Sequence, residues 1–378
     1  MKTTIFFVGA AIALAWFMWR WRLPPSRAFG SVDAIVPAFN EELCIADSVI
    51  SLLKNPYIND VIVVNDGSTD GTAALIDEMA SYNPRVVPIH KRNSGKGGAL
   101  MAGVACAQAK YVFLTDADTV LPHEGAGLGY MIAELRRGAH AVGGIPASNL
   151  QGAGLLPHIR ASLKVPMIAL KRTFQQILGG APFIISGSCG LFRTEVLRQV
   201  PFSDRTKVED LDLSWTLVER GYTVRQTWRC VVYSQECNSL KSEWLRWRRW
   251  IIGYAVCMRL HRRLLLTRFG LFSIMPMFLV ALIGCACYAA TLVPVLIEGR
   301  PHHVPSLLLP ALWLGVVTVL GAVSALHLRR YRLIALAPAA LVYVVLAYAI
   351  WLLHGLKGLF TGREPRRDKP TRYANVVA

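Results

Sequence analysis

The chain has eight cysteines among 378 residues, yet none stands in a CxxC pair or in a His/Cys zinc spacing. Cys44, Cys106, Cys189, Cys230, Cys237, Cys257, Cys285 and Cys287 therefore read as small buried side chains in a reducing compartment, not as a metal site or redox motif. No GxGxxG turn and no Walker loop occurs, so a dinucleotide-dependent oxidoreductase or a P-loop ATPase has no support. Acids are scarce: 24 Asp and Glu face 41 Lys and Arg, for a formal net charge of +17. Charge of either sign is missing from Thr3–Trp19, Phe269–Ile297, Val304–Leu326 and Leu333–Leu353, in a chain that is 53% hydrophobic.

The basic residues crowd beside those uncharged runs: Arg20, Arg22 and Arg27; Arg259, Arg262, Arg263 and Arg268; Arg329, Arg330 and Arg332; and the tail from Arg363 to Arg372. That placement points to juxtamembrane anchoring on anionic lipid, and away from nucleic acid as the partner. The first run ends in Trp16, Trp19, Arg20, Trp21 and Arg22, followed by Pro24-Pro25, which reads as an uncleaved anchor helix and not as a cleaved signal. The organisation expected is an anchor over residues 1–23, a cytoplasmic catalytic domain over 30–240, an interfacial amphipathic region over 241–268, transmembrane helices over 269–356 and a basic tail over 357–378. The expected location is the inner (plasma) membrane, crossed several times. The linker Glu298–His303 carries one Arg and His327–Arg332 carries three, which puts the first outside and the second inside. A third crossing would then export the basic tail. Either the tail is external or one run, such as Phe269–Ile297 with Pro276 and Pro294, is re-entrant or interfacial.

From Ser31 to Glu236 apolar strands alternate with helical spacing. Strands are expected at Val32–Pro37, Asp60–Asn65, Val86–Ile89 and Lys110–Thr115, and helices at Glu41–Leu53, Thr72–Ser81 and Lys96–Ala107. This alternation predicts a mostly parallel α/β sheet, which places ligands at the carboxyl ends of its strands. The polar segments fall there: Pro37-Ala38-Phe39-Asn40-Glu41, then Asp66-Gly67-Ser68-Thr69-Asp70-Gly71, then Asp116-Ala117-Asp118.

Asp116 and Asp118 are spaced so that an extended backbone would put both carboxylates on one side, a donor pair suited to Mg²⁺ or Mn²⁺. A DxD alone is also an ordinary solvated turn. Asn93-Ser94-Gly95-Lys96-Gly97-Gly98 adds glycines that admit a ligand and a lysine to neutralise phosphate. Asp70 precedes a helix and reads as its cap, leaving Asp66 as the ligand-binding acid. Val208-Glu209-Asp210-Leu211-Asp212 opens a helix, where acids are favoured by the dipole alone, yet three together also suit a general base. Arg246-Trp247-Arg248-Arg249-Trp250 reads as an interfacial helix whose arginines also suit a leaving diphosphate.

Taken in order, these blocks resemble the family-2 glycosyltransferases of GT-A (Rossmann-like α/β) fold with flanking transmembrane helices, and within them the membrane β-glycan synthases making cellulose, hyaluronan, chitin oligosaccharide and poly-N-acetylglucosamine. The resemblance implies that Pro37, Phe39, Glu41 and Asp66 contact the nucleotide, and that Lys96, Asp116, Arg246, Arg249 and Trp250 take part in binding the nucleotide-sugar. It implies a metal, Mg²⁺ or Mn²⁺, on Asp118 and Asp116, and an acceptor loop at Ser186–Gly190 with Ser188, Cys189, Gly190 and Trp250 near the acceptor. Glu209-Asp210 matches the ED of the TED motif, whose aspartate is the family's base. Two positions depart from the pattern: Val208 replaces the TED threonine, and Arg246 replaces the first glutamine of Q-x-x-R-W. The implied partners are a UDP-sugar, a glycan or lipid acceptor, membrane lipids and an accessory secretion subunit. The implied reaction is inverting transfer of GlcNAc or glucose to a growing β-linked exopolysaccharide, with single transfer to a membrane lipid as the other reading. A non-enzymatic scaffold would be expected to lose Asp66, Asp116, Asp118 and Asp210, and all four are present.

Overall fold

The computed structural model describes residues 24–123, 126–279, 282, 286 and 305–362. The expected anchor, most of 280–304 and the tail beyond Gly362 lie outside them. Strands β1 (Val32–Ala38), β2 (Ile58–Asp66), β3 (Val86–Lys91) and β4 (Tyr111–Leu114) stand where the apolar runs place them. They alternate with helices α1 (Ile45–Leu53), α2 (Thr72–Tyr82) and α3 (Gly95–Cys106). The first helix starts later than its spacing suggests, because Glu41–Cys44 form a turn in which the Cys44 N–H donates to the Glu41 carbonyl at 3.1 Å. Further along come β5 (Thr119–Val120), α4 (Gly127–Arg136), β6 (Ala141–Ser148), α5 (Leu155–Gly179), β7 (Gly190–Arg193), α6 (Thr194–Gln199), α7 (Glu209–Glu219), β8 (Val224–Ser234) and α8 (Leu240–Leu260).

The strands form one sheet in the order β3-β2-β1-β4-β7-β6-β8-β5. β1, β2, β3 and β4 are parallel, but β7 is antiparallel to both β4 and β6, and β5 is antiparallel to β8. The sheet is therefore mixed: four of its seven pairings are parallel, β6 with β8 among them, and the three antiparallel ones all involve β5 or β7.

Side chains of β1 alternate between two cores, as strand geometry requires. Val32, Ala34 and Val36 pack with Ile45, Val49 and Met131 on one face, and Ile35 packs with Leu100, Val104 and Trp215 on the other. Burial on both faces explains the unbroken apolar runs Val61–Val64 of β2 and Tyr111–Leu114 of β4. Helix α3 sits close because Gly103 has no side chain; a Cβ there would lie 2.5 Å from Ile35 Cγ2.

The second core does not end at β8. Cys257 and Met258 of α8, Leu264 in a 3₁₀ turn (Arg262–Leu266) and Ile274 in a π-helical turn (Gly270–Ile274) all join it. Trp215 is fully buried at its centre, edge-on to Phe183 with ring centroids 5.5 Å apart, and its Nε1–H donates to the Phe183 carbonyl at 2.9 Å. Two further helices follow, α9 (Pro305–His327) and α10 (Arg332–Thr361). Among the described residues, α10 alone is long and apolar enough to cross a membrane by length and composition.

Replacing Trp215 with alanine removes a ring and orphans a buried carbonyl, so a loss of about 3–5 kcal/mol is expected. Thermal unfolding in detergent should show a clearly lower midpoint for Trp215→Ala than for Trp215→Phe; equal midpoints would count against this core.

Candidate active site

Three loops at the carboxyl ends of β1, β2 and β3 are laced together. The Asn40 N–H donates to Ser68 Oγ at 2.9 Å, and the Thr69 N–H donates back to Asn40 Oδ1 at 2.7 Å. Asn40 takes a left-handed φ of 55°, a conformation that asparagine tolerates better than most residues. The Glu41 N–H donates to Thr72 Oγ1 at 2.8 Å, and the Glu41 side chain is buried, while Phe39 is exposed beside it. Gly71, not Asp70, occupies the N-cap of α2; Asp70 stands one residue earlier and accepts the Thr72 N–H at 3.1 Å. Asp66 is buried, 2.9 Å from the Lys91 ammonium, and accepts the Ser94 N–H at 2.9 Å. Lys91 is a partner that strand spacing alone does not reveal.

The DxD lies in a turn, where the Thr119 N–H donates to the Asp116 carbonyl at 3.0 Å. This corrects the extended geometry expected of it. The turn links β4 to β5, and its two carboxylates are held differently. Asp118 is buried and accepts the Thr119 hydroxyl at 3.2 Å. Asp116 meets the Lys96 ammonium at 2.5 Å. Lys96 also lies 3.7 Å from Glu209, so one cation at the start of α3 faces acids from the ends of β4 and the start of α7.

That lysine lines a small cleft together with Leu100, Ser186, Gly187, Glu209 and Asp210. The Ser186–Gly190 loop closes one side. The Gly187 N–H donates to Asp210 Oδ2 at 3.0 Å, and a Cβ at Gly187 would stand 3.0 Å from Lys96 Nζ and 3.4 Å from Asp210 Oδ2. Ser188 gives its carbonyl to the Thr115 hydroxyl at 3.0 Å, Gly190 begins β7, and Cys189 is fully buried; its sulfur lies 2.3 Å from where a Cβ at Gly144 would stand. The loop therefore presents backbone, and the Cys189 side chain points into the core.

Burial raises the proton affinity of Asp210, and the negative charges of Glu209 and Asp116 add to that; Lys96 and the Gly187 N–H oppose it. Arg172 of α5 is a functional candidate that the sequence spacing misses. Its buried guanidinium donates to Ser186 Oγ at 2.8 Å, to the Gly144 carbonyl at 3.2 Å and to Gln226 Oε1 at 3.3 Å. Burial pulls it down to about 10, against the charges of Tyr254, Cys189 and Asp210.

The RWRRW segment divides. Arg249 donates to the Lys207 carbonyl at 3.0 Å, beside the turn that opens α7. Trp250 packs on the core below it, with the guanidiniums of Arg160 and Arg246 over its ring at 5.6 and 5.3 Å. Arg246 pairs with Glu236 at 2.8 Å and with Glu243, in a buried cluster that also holds Arg160 and Lys164. The structure thus commits Arg246 to acids of its own chain, not to the Lys96–Asp210 cleft.

Residues 33–200 match the glycosyl transferase family 2 domain. Over all 378 residues the sequence is 58% identical to the uncharacterized glycosyltransferase YaiP of Escherichia coli (strain K12), covering 95% of that protein. The chain belongs to glycosyl transferase family 2. A more distant relative is poly-beta-1,6-N-acetyl-D-glucosamine synthase of Staphylococcus aureus, 29% identical over 227 residues, 59% of this chain and 54% of the synthase. The chain thus matches about half the length of that synthase. The fold is that of mannosyltransferase PcManGT from Pyrobaculum calidifontis, solved in complex with GDP-Man and Mn²⁺: TM-score 0.61, 19% identity, covering 95% of this chain and 97% of that one.

Among the described residues no cluster of three or more His, Cys, Asp or Glu stands ready to hold a metal ion. Asp116 and Asp118 nevertheless fit a hard cation that arrives with substrate, since Mg²⁺ is commonly held by one or two carboxylates plus phosphate oxygens.

If Asp210 acts as a glycosyltransferase's base, it must be ionised, so activity rises as pH climbs through its raised pKa. The acid limb of kcat/KM should therefore lie above the ordinary aspartate range. Glu209→Gln removes the largest neighbouring negative charge and eases ionisation, so the limb should move to lower pH. A limb that stays fixed or moves up would contradict this electrostatic assignment.

Proposed function

We propose that this family 2 glycosyltransferase moves GlcNAc or glucose from a UDP-sugar, with inversion, to a growing β-linked exopolysaccharide at the inner face of a membrane. The observation that carries the reading is the cleft in which Lys96 joins Asp116 to Glu209, with Asp210 on the same wall. An acceptor hydroxyl oxygen attacks the anomeric carbon while the bond from that carbon to the diphosphate oxygen breaks. The hydroxyl proton passes to Asp210 and the bonding electron pair leaves with UDP, so an α-linked donor gives a β-linked product. The Gly187 N–H holds one oxygen of Asp210 at 3.0 Å and the Leu211 N–H the other at 2.9 Å, which fixes the carboxylate in the wall of the cleft. Lys96 and Arg249 supply positive charge near the leaving group. Pro37, Phe39, Glu41 and Asp66 frame the nucleotide, and Ser188, Gly190 and Trp250 border the acceptor. Bound Mg²⁺ or Mn²⁺ neutralises the diphosphate, with Asp118 and Asp116 as the residues that would hold it; the GDP-Man and Mn²⁺ bound by PcManGT agree with that class of donor.

Membrane embedding is supported by the outward apolar side chains of α9 (Leu314, Val316, Val319, Val323) and α10 (Val342, Leu346, Leu353). Arginine clusters flank these helices. A secretion subunit is the natural partner of a polymer product. A second reading, transfer of a single sugar to a membrane lipid, is favoured by Arg246, which stands where the synthases have glutamine and is locked to Glu236 and Glu243.

In detergent, with a panel of UDP-sugars and Mg²⁺ or Mn²⁺, Asp210→Asn should lower UDP release by a factor on the order of 10²–10⁴ while UDP binding persists. Substantial residual turnover would remove Asp210 from the base role. Asp118→Ala should instead abolish the metal-dependent part of UDP binding, read by titration calorimetry with and without chelator. Product size on a gel separates polymer from single transfer.

A further inference from the structure

α10 has the length and composition of a crossing helix, yet it touches the catalytic domain from end to end. Leu333 packs with Leu150 and Ala161, and Ala337 and Ala340 pack with Leu163. Midway, the Tyr343 hydroxyl bonds Glu243, and the Trp247 Nε1–H donates to the Tyr343 oxygen at 2.7 Å. Farther on, Ile350 and Trp351 pack with Ile251. Gly358 admits α8 so closely that a Cβ there would lie 2.8 Å from Ala255 Cβ, and a Cβ at Gly362 would lie 2.4 Å from Arg259.

Both ends of that contact belong to the catalytic domain. Leu150 follows β6 by two residues, and Leu359 packs against the core that holds Trp215 and Cys257. The helices beneath α10 cannot stand in hydrocarbon. α8 carries Lys241, Glu243, Arg246, Arg248, Arg249 and Arg259, and α5 carries Arg160, Lys164, Lys171 and Arg172. So many charges across the bilayer centre would be prohibitive, whereas such side chains are at home at the interface. A helix lying along both for its full length shares their depth.

We infer that α10 lies in the membrane interface instead of crossing, with its outward face against lipid acyl chains, and that the basic tail emerges on the side of the catalytic domain. The occupant of that outer face is lipid. It presents Ile334, Val342, Leu346, Leu353 and Phe360 to the surroundings and has no Asp, Glu, Lys or Arg between Arg332 and Lys357. Arg329, Arg330 and Arg332 at one end and Lys357 at the other are placed for anionic head groups. The end of α9 also rests on the domain, through Ala325 against Leu150 and Ala161, so the chain has already returned when α10 begins. The conflict with the positive-inside bias then disappears, because the tail from Arg363 to Arg372 never leaves that side.

The inference rests on the membrane reading, and sidedness separates the two. In a Cys285→Ser, Cys287→Ser background, Cys106, exposed at the end of α3, reports the catalytic domain; adding Cys106→Ser and Asn375→Cys to that background reports the tail. Full-length protein in inside-out and right-side-out vesicles is treated with a membrane-impermeant maleimide. Labelling of both positions in the same vesicle orientation is expected. A tail labelled only in the opposite orientation would overturn the interfacial placement and leave the membrane reading intact. Release of the whole chain from vesicles by alkaline carbonate would overturn both.

Discussion

The site depends on a single lysine holding acids together against their own repulsion. Asp116 lies more than ninety residues before the adjacent pair Glu209-Asp210, and both Asp116 and Glu209 raise the cost of ionising Asp210. Lys96 touches the first two and opposes the proton affinity of the third. A donor diphosphate would bring more negative charge to the same place, which is why a cation set among these carboxylates is chemically sensible. The parallel half of the sheet exists to deliver these groups: β4 presents the DxD, the loop after β3 opens α3 at Lys96, and the core around Trp215 fixes the start of α7.

The parts of this arrangement carried by local pattern were legible in the sequence. β1, β2 and β4 read as strands because burial on both faces fills them with apolar runs such as Val61–Val64 and Tyr111–Leu114, and Glu209-Asp210, Lys96 and the DxD were found because each lies where a strand ends or a helix begins. Partner choice was not legible. Lys91 on Asp66, Glu236 on Arg246, and Arg172 beneath Ser186 are pairings across 25, 10 and 14 residues, set by packing and not by spacing. α5 escaped for a related reason. Its apolar residues divide between a buried face and an exposed one with Met167, Leu170, Phe174 and Leu178, and it contains Pro166, so no single stripe announces a helix. The change of sheet sense at β7 escaped because a four-residue strand after a long loop carries no directional signal.

Arg246 shows how a motif departure becomes structural. Where the Q-x-x-R-W pattern has a neutral amide, this chain carries a cation, and a buried cation requires compensation. Glu236 and Glu243 supply it, with Arg160 and Lys164 completing the cluster and Ser148 donating to Glu236 at 2.8 Å. The cluster ties the end of β8, α5 and α8 into one polar knot, and Tyr343 adds α10 to it. Removing Arg246 alone would leave two carboxylates to share the remaining cations, so its effect on stability cannot be separated from any effect on acceptor choice without also changing an acid.

The same helices that form this knot reach the chemistry. α5 has exposed apolar residues on one side and Arg172 on the other, and Arg172 anchors Ser186, one residue before the N–H that holds Asp210. Gly143 and Gly144 make room for that path, since side chains there would strike Gln226 and Cys189. The partners of Arg172 are all neutral, so its charge is compensated only through the field of groups such as Asp210. A buried guanidinium without an ion pair is a poor choice for stability. It is a reasonable one for fixing Ser186 and, one residue on, the Gly187 N–H that holds Asp210, and so it couples the position of α5 to that of the carboxylate.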